Sequence, residues 1–119
     1  MENINYEYPL HVLFEEVAAW GREKNINDEV MQYAKINEEV GELAHELTRG
    51  RCGDGKETVP SGETIDAIGD ILVTVIIFAS IIGVDPRGAL EEAYNTIKDR
   101  KGHTEHGSFI KDDQTGEGE

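Results

Sequence analysis

The stretch from Ile71 to Val84 constrains this chain more than any other. Only Thr74, Ser80 and Gly83 interrupt an apolar run that covers every side of a helix. A helix with one apolar stripe needs one neighbour, whereas a helix apolar all round has to be covered all round. A membrane span requires roughly 20 apolar residues; this run is shorter and continues directly from Asp66 and Asp70. It therefore reads as a buried core helix. A chain of 119 residues supports one domain with a modest core, and three amphipathic neighbours of this size do not cover such a helix. A second copy of the chain is expected to complete the cover, as a homodimer or homotetramer.

Those neighbours follow from the 3.6-residue periodicity. A first helix is expected from about Tyr8 to Lys24, with Leu10, Leu13, Phe14, Val17 and Ala18 on one stripe and Trp20 at its edge. A second is capped by Asn27 or Asp28 and runs to about Arg49, ending at Gly50. Residues 50–62 hold four Gly and one Pro and read as a loop, with the possible role of a lid. Ser61 caps the apolar helix, Gly62 to about Ile82, and Gly83 closes it. Asp85 followed by Pro86 opens a fourth helix, to about Lys101. No strand alternation is visible. The expected class is all-α, a four-helix fold completed by self-association, over residues 1–111, followed by a solvated acidic tail at 112–119.

The net charge is −14, from 25 Asp plus Glu against 11 Lys plus Arg. Such a surface repels phosphate backbones and anionic membranes, so neither a nucleic acid polymer nor a membrane is an expected partner. The lone Cys52 excludes a disulfide framework and fits a reducing compartment, and no secretory signal opens the chain. A cytoplasmic protein is expected. The charge is unevenly placed: residues 38–70 carry nine acids and three bases, whereas residues 71–101 carry four of each.

Part of that excess borders the core. Lys35, Glu38, Glu39, Glu42 and Glu46 fall within one sector about 100° wide on the second helix, next to Ile36, Val40, Leu43 and Leu47. Glu63, Asp66 and Asp70 share a face of the third helix that runs into Val73 and Ile77. Acids so near a core need cationic compensation, and Lys35 is one charge against several. Oxygen-only ligands suit a hard divalent ion such as Mg²⁺ or Mn²⁺, and two adjacent helices with acids at i, i+3 or i, i+4 build such sites in bundles. The alternative is a solvated acidic face, because Glu is also a good helix former.

The string Lys35-x-x-Glu38-Glu39-Val-Gly-Glu42-Leu, followed after a loop by Asp66-Ala-Ile-Gly69-Asp70-Ile-Leu, resembles the MazG-like branch of the all-α nucleoside triphosphate pyrophosphohydrolases. The ending Asn95-Thr-Ile-Lys98-Asp-Arg100-Lys101-Gly102 strengthens the resemblance, and Gly107-Ser-Phe109-Ile-Lys111 resembles the C-termini of short phage-type members. It extends over roughly residues 8–111. The resemblance implies Glu39 and Glu42 as metal ligands, Glu38 as a further ligand or the base that acts with Glu39 in catalysis, and Asp70 as a ligand from the third helix. The Glu expected three residues before Asp70 is Ala67, so Asp66 is the substitute; a second register reads Glu63-x-x-Asp66 as the motif.

The implied reaction is Mg²⁺-dependent cleavage of a nucleoside triphosphate between its α and β phosphates, to monophosphate and pyrophosphate. Lys35, Asn95, Lys98, Arg100 and Lys101 are the candidate phosphate ligands, although basic residues after a helix also simply complement its dipole. Two alternatives stand beside this reading: a phosphoribosyl-ATP pyrophosphohydrolase, and a non-catalytic helical dimer that lost a ligand at Ala67. His103 and His106, His45 and Cys52 carry no strong site signal of their own.

Overall fold

The computed structural model describes residues 4–52 and 61–112. The centre of the Gly-rich loop, with any lid role, and the acidic tail beyond residue 112 lie outside the described residues. The chain forms two compact units, Met1–Arg87 and Gly88–Glu119.

The first unit holds three helices. Helix α1 is Leu10–Glu23, α2 is Glu29–Cys52 and α3 is Gly62–Ile82. Local chemistry sets their ends. Asp28 Oδ1 accepts from the Met31 N–H at 2.9 Å and caps α2. Ser61 Oγ accepts from the Thr64 N–H at 3.1 Å and caps α3. Gly83 closes α3 with φ 78°, a left-handed conformation that a side chain would strain. Helix α2 passes through Gly50 to Cys52, two residues beyond the expected stop at that glycine.

Helices α2 and α3 pack antiparallel. Gln32, near the start of α2, donates from Nε2 to the Thr74 carbonyl at 3.2 Å, while Glu46 and Glu63, at the opposite end, line one cleft. The α2 side of this seam is Gln32, Ile36, Glu39, Leu43 and Glu46, all buried or half-buried. The α3 side is Thr64, Ala67, Ile71, Thr74 and Phe78. Both sets step by alternating threes and fours, the knobs-into-holes spacing of closely aligned helices. This corrects the expected apolar sector: Val40 and Leu47 remain 46% and 56% exposed, and Glu39 takes the buried place. Helix α1 rests on α3 at Gly21, which is buried; a Cβ there would stand 3.1 Å from both Ile77 Cγ1 and Cγ2.

The α2–α3 hairpin thus has two unlike flanks. Turning from the seam one way on each helix leads to the acids. Turning the other way leads on α2 to Val30, Tyr33, Val40 and Leu47, and on α3 to Ile65, Ile68, Leu72, Val75 and Ile82, all exposed. Within one chain α3 is therefore covered on part of its circumference, with Ala67, Thr74, Ile76, Ile77 and Ala79 buried. By length and composition α3 is also apolar enough to cross a membrane, although its first half carries Glu63, Asp66 and Asp70.

In the second unit, α4 is Pro86–Ile97, beginning just before the unit boundary with Asp85 Oδ1 accepting from the Arg87 N–H at 3.2 Å. It ends four residues before the expected Lys101. Beyond it stands an antiparallel hairpin, β1 Gly102–Glu105 and β2 Ser108–Lys111, with Gly102 opposite Lys111 and Glu105 opposite Ser108. The expectation of no strands is corrected here. His106 and Gly107 have φ 51° and 80°, the two positive values that a tight type I′ turn requires. Neither strand buries a face, so alternation of polarity could not reveal them. The fold is mostly helical, four α-helices and one small two-stranded sheet among the described residues.

Candidate functional site

The acids stand where the α2–α3 hairpin opens on one flank. A cleft of about 580 Å³ is lined there by Glu38, Glu42 and Glu46 of α2 and Glu63, Asp66 and Asp70 of α3, with Gly41, His45 and Ala67 between them. The volume lies in the ordinary range of small-molecule sites. The antiparallel seam explains the gathering. Residues one turn apart on α2 face residues one turn apart on α3, so each helix adds a column of carboxylates to the same wall.

Glu39 is not part of that lining; it stands behind it in the seam, next to Glu38 in the chain. It is 7% exposed, placed in the seam by its spacing seven residues from both Gln32 and Glu46. Its Oε2 is 3.6 Å from Lys35 Nζ, and its Oε1 is buried with no hydrogen-bond partner. Burial pushes the Glu39 carboxyl above the usual glutamate range; the charges of Glu42 and Asp70 add to the shift and Lys35 opposes it. Lys35 also lies 3.5 Å from Glu38 Oε1. Glu38 first, and then Glu39, hold the Lys35 ammonium above its ordinary pKa.

A second cation stands at the opposite end. Arg49 donates from Nη2 to Glu46 Oε1. Glu46, and more weakly Glu63, keep its guanidinium firmly protonated. Sequence spacing does not single out Arg49, because its partner Glu46 reads as one more member of a Glu-rich face. The i, i+3 relation of Glu46 to Arg49 is the available signal.

Of the residues expected at the site, Lys35, Glu38, Glu39, Glu42, Asp66 and Asp70 come together on this flank. Asp66 and Asp70 both line the cleft, and so does Glu63, so both registers of the α3 motif reach it. Ala67 is 4% exposed and fills the seam. Asn95 belongs to α4, and Lys98, Arg100 and Lys101 follow it in the second unit, with Lys98 Nζ 6.0 Å from the Tyr94 ring centroid. His45 lines the cleft. His103 pairs instead with Glu105, Nε2 to Oε2 at 2.7 Å.

Among the described residues, no three of His, Cys, Asp or Glu are drawn close enough together to hold a metal ion as they stand. The chemistry of the set nevertheless fits a hard cation: every acid offers oxygen, and the buried Oε1 of Glu39 lacks the partner that a buried carboxylate ordinarily has. Holding an ion requires the Glu42, Asp66 and Asp70 side chains to turn in toward Glu39. No protein-family model, curated protein or solved structure matches the chain.

Proposed function

We propose that this protein is a divalent-metal-dependent nucleoside triphosphate pyrophosphohydrolase, producing a nucleoside monophosphate and pyrophosphate. The observation that carries the reading is Glu39, a buried carboxylate with one unpartnered oxygen, next to the charges of Glu42 and Asp70. A bare wall of acids repels a triphosphate, and a group so placed is costly without a cation. Mg²⁺ or Mn²⁺ bound by Glu39, Glu42, Asp66 and Asp70 supplies the positive charge that draws a polyanion here and makes water easier to deprotonate.

The chain's own residues then divide the work. Glu38, exposed at the cleft and 3.5 Å from Lys35, accepts the proton of the attacking water, with Glu39 as the neighbouring carboxylate. The water oxygen forms a bond to the α-phosphorus. The bond from that phosphorus to the oxygen bridging the β-phosphorus breaks, and pyrophosphate leaves with the electron pair. Lys35 offsets negative charge at one end of the cleft, and Arg49 at the other. The single cysteine and a nucleotide substrate go with a cytoplasmic protein. The test is incubation with each NTP and dNTP plus Mg²⁺, with monophosphate and pyrophosphate in equal amounts as the expected products.

One observation favours a second reading. The buried alanine at position 67 replaces a carboxylate of the family pattern, as in a scaffold that has kept its fold and lost its chemistry. Absence of turnover together with absence of metal-induced stabilisation would select that reading.

A further inference from the structure

We propose that Lys35 couples the two ligands of the acidic flank: its ammonium competes with the divalent ion for Glu38 and Glu39 and, once displaced, binds the nucleotide's phosphates, so that ion and nucleotide each bind better in the other's presence. The inference rests on the nucleotide reading of this flank and adds the cooperativity of its ligands. The ammonium forks between the two acids, with Nζ 3.5 Å from Glu38 Oε1 and 3.6 Å from Glu39 Oε2. Glu38, and then Glu39, raise the Lys35 pKa, and what these oxygens give to an ammonium they withhold from a second cation. Glu39 is buried and keeps its place in the seam. Lys35 is half exposed on a flexible four-carbon stem, so it is the partner that moves.

Support of the helix does not account for this placement. A glutamate that precedes its lysine supports a helix better than the reverse order, and Lys35 precedes both of its acids. Arg49 is the contrast on the same flank. It follows its partner Glu46 by three residues, in the helix-supporting order, and Glu46 is outside the set assigned to the ion. An ion held by Glu39, Glu42, Asp66 and Asp70 therefore displaces Lys35 and leaves Arg49 paired. The Lys35 pairs are weak, because water reaches the ammonium and screens them. A polyphosphate beside Glu38 offers the freed ammonium several anionic oxygens. Without nucleotide, displacement leaves the ammonium next to a divalent ion with no anion of its own; with nucleotide, both cations face phosphate. The factor by which nucleotide tightens ion binding equals the factor by which the ion tightens nucleotide binding, and Lys35 contributes to both.

The experiment is isothermal titration of the full chain at mildly alkaline pH, first with Mn²⁺ alone. The second titrant, at saturating Mn²⁺, is a nucleoside triphosphate analogue with a methylene group between the α and β phosphorus, which resists cleavage there. Lys35→Met is expected to bind Mn²⁺ alone about 5-fold more tightly than wild type and the analogue about 10-fold more weakly. Lys35→Arg keeps the charge and should stay close to wild type in both. Lys24→Met removes the same charge at the C-cap of α1 and should change neither. Met is a good helix former, circular dichroism confirms the fold, and Lys35→Gln repeats the test should the Met variant fail to fold. Mn²⁺ binding that is unchanged or weaker in Lys35→Met overturns the competition, and an unchanged affinity for the analogue overturns the transfer to phosphate. A wild type that binds Mn²⁺ and cleaves nucleotides, with both constants unmoved in Lys35→Met, contradicts this inference alone. A wild type that binds neither Mn²⁺ nor the analogue contradicts the nucleotide reading with it.

Discussion

Lys35 reaches Glu39 through one oxygen only: its Nζ is 3.6 Å from Oε2, while Oε1 of the same carboxylate is buried with no partner. The pair is therefore unequal. Lys35 is half exposed, so water screens its share, and Glu39 bears the cost of burial together with the repulsion of Glu42 and Asp70.

That inequality has a pH signature in metal-free protein. The folded-state pKa of Glu39 is raised, so protonation favours the fold; its stabilising contribution is present below the ordinary glutamate value and is lost as pH rises through the raised one. Glu39→Gln removes the charge and is expected to be more stable than wild type by about 1 kcal/mol at pH 7, roughly 4 °C in Tm. The gap should close as pH falls from 7, through the raised Glu39 pKa, into the ordinary glutamate range. Thermal melts in EDTA across that range measure it, and a gap that widens on acidification contradicts the assignment.

Metal binding should reverse the ranking. A ligand at 100 times its Kd stabilises the folded state by about 2.7 kcal/mol, so Mg²⁺ or Mn²⁺ titrated into wild type is expected to raise Tm by several degrees. Glu42→Gln and Asp70→Asn should each lose most of that rise while melting at or above wild type in EDTA, because each relieves like-charge repulsion in the cleft. Isothermal titration with Mn²⁺ reports the same loss as affinity.

Ala67 gives the register of the α3 motif a direct test. Ala67→Glu adds a carboxylate three residues before Asp70 but places it in a seam position that is 4% exposed. The expected result is metal-free destabilisation of about 2–4 kcal/mol, partly recovered by Mn²⁺. Asp66→Asn should reduce turnover if Asp66 serves as a ligand in place of a residue at 67, and an unchanged rate would assign that role to Glu63.

The contact of α1 with α3 turns on a missing side chain. Leu at position 21 would overlap Ile77, whose branched Cβ leaves it little freedom to move. Gly21→Leu is expected to cost about 2–3 kcal/mol, and less in an Ile77→Ala background. Urea melts of the four proteins give the coupling energy, and strict additivity would mean that the two residues do not meet.

What the sequence makes legible here follows from where local chemistry decides. Asp28, Ser61, Gly83 and Asp85 end helices through their own backbone or side-chain bonds, and all four stand in the structure where spacing places them. The acidic flank is legible for the same reason, since i, i+3 and i, i+4 positions share a face in any helix. The inward place of Glu39 is not, because hydropathy assigns Val40 and Leu47 to the core; the 3.5-residue step from Gln32 to Glu46 is visible only once α3 lies beside α2. The hairpin at 102–111 escapes because neither strand has a buried face, and its one local mark is His106-Gly107. Gly102 is a second mark visible only in three dimensions: a Cβ there would collide with the Ile110 carbonyl and the Phe109 ring.

Hydrolysis of nucleoside triphosphates in ¹⁸O-labelled water tests the central claim most directly. With Mg²⁺ present, wild type is expected to convert at least one NTP or dNTP to monophosphate and pyrophosphate in equal amounts, with the label in the monophosphate and none in the pyrophosphate. Glu39→Gln should lower that rate at least 100-fold. Release of inorganic phosphate, label in the pyrophosphate, or no turnover of any nucleotide by metal-loaded, folded protein would contradict it.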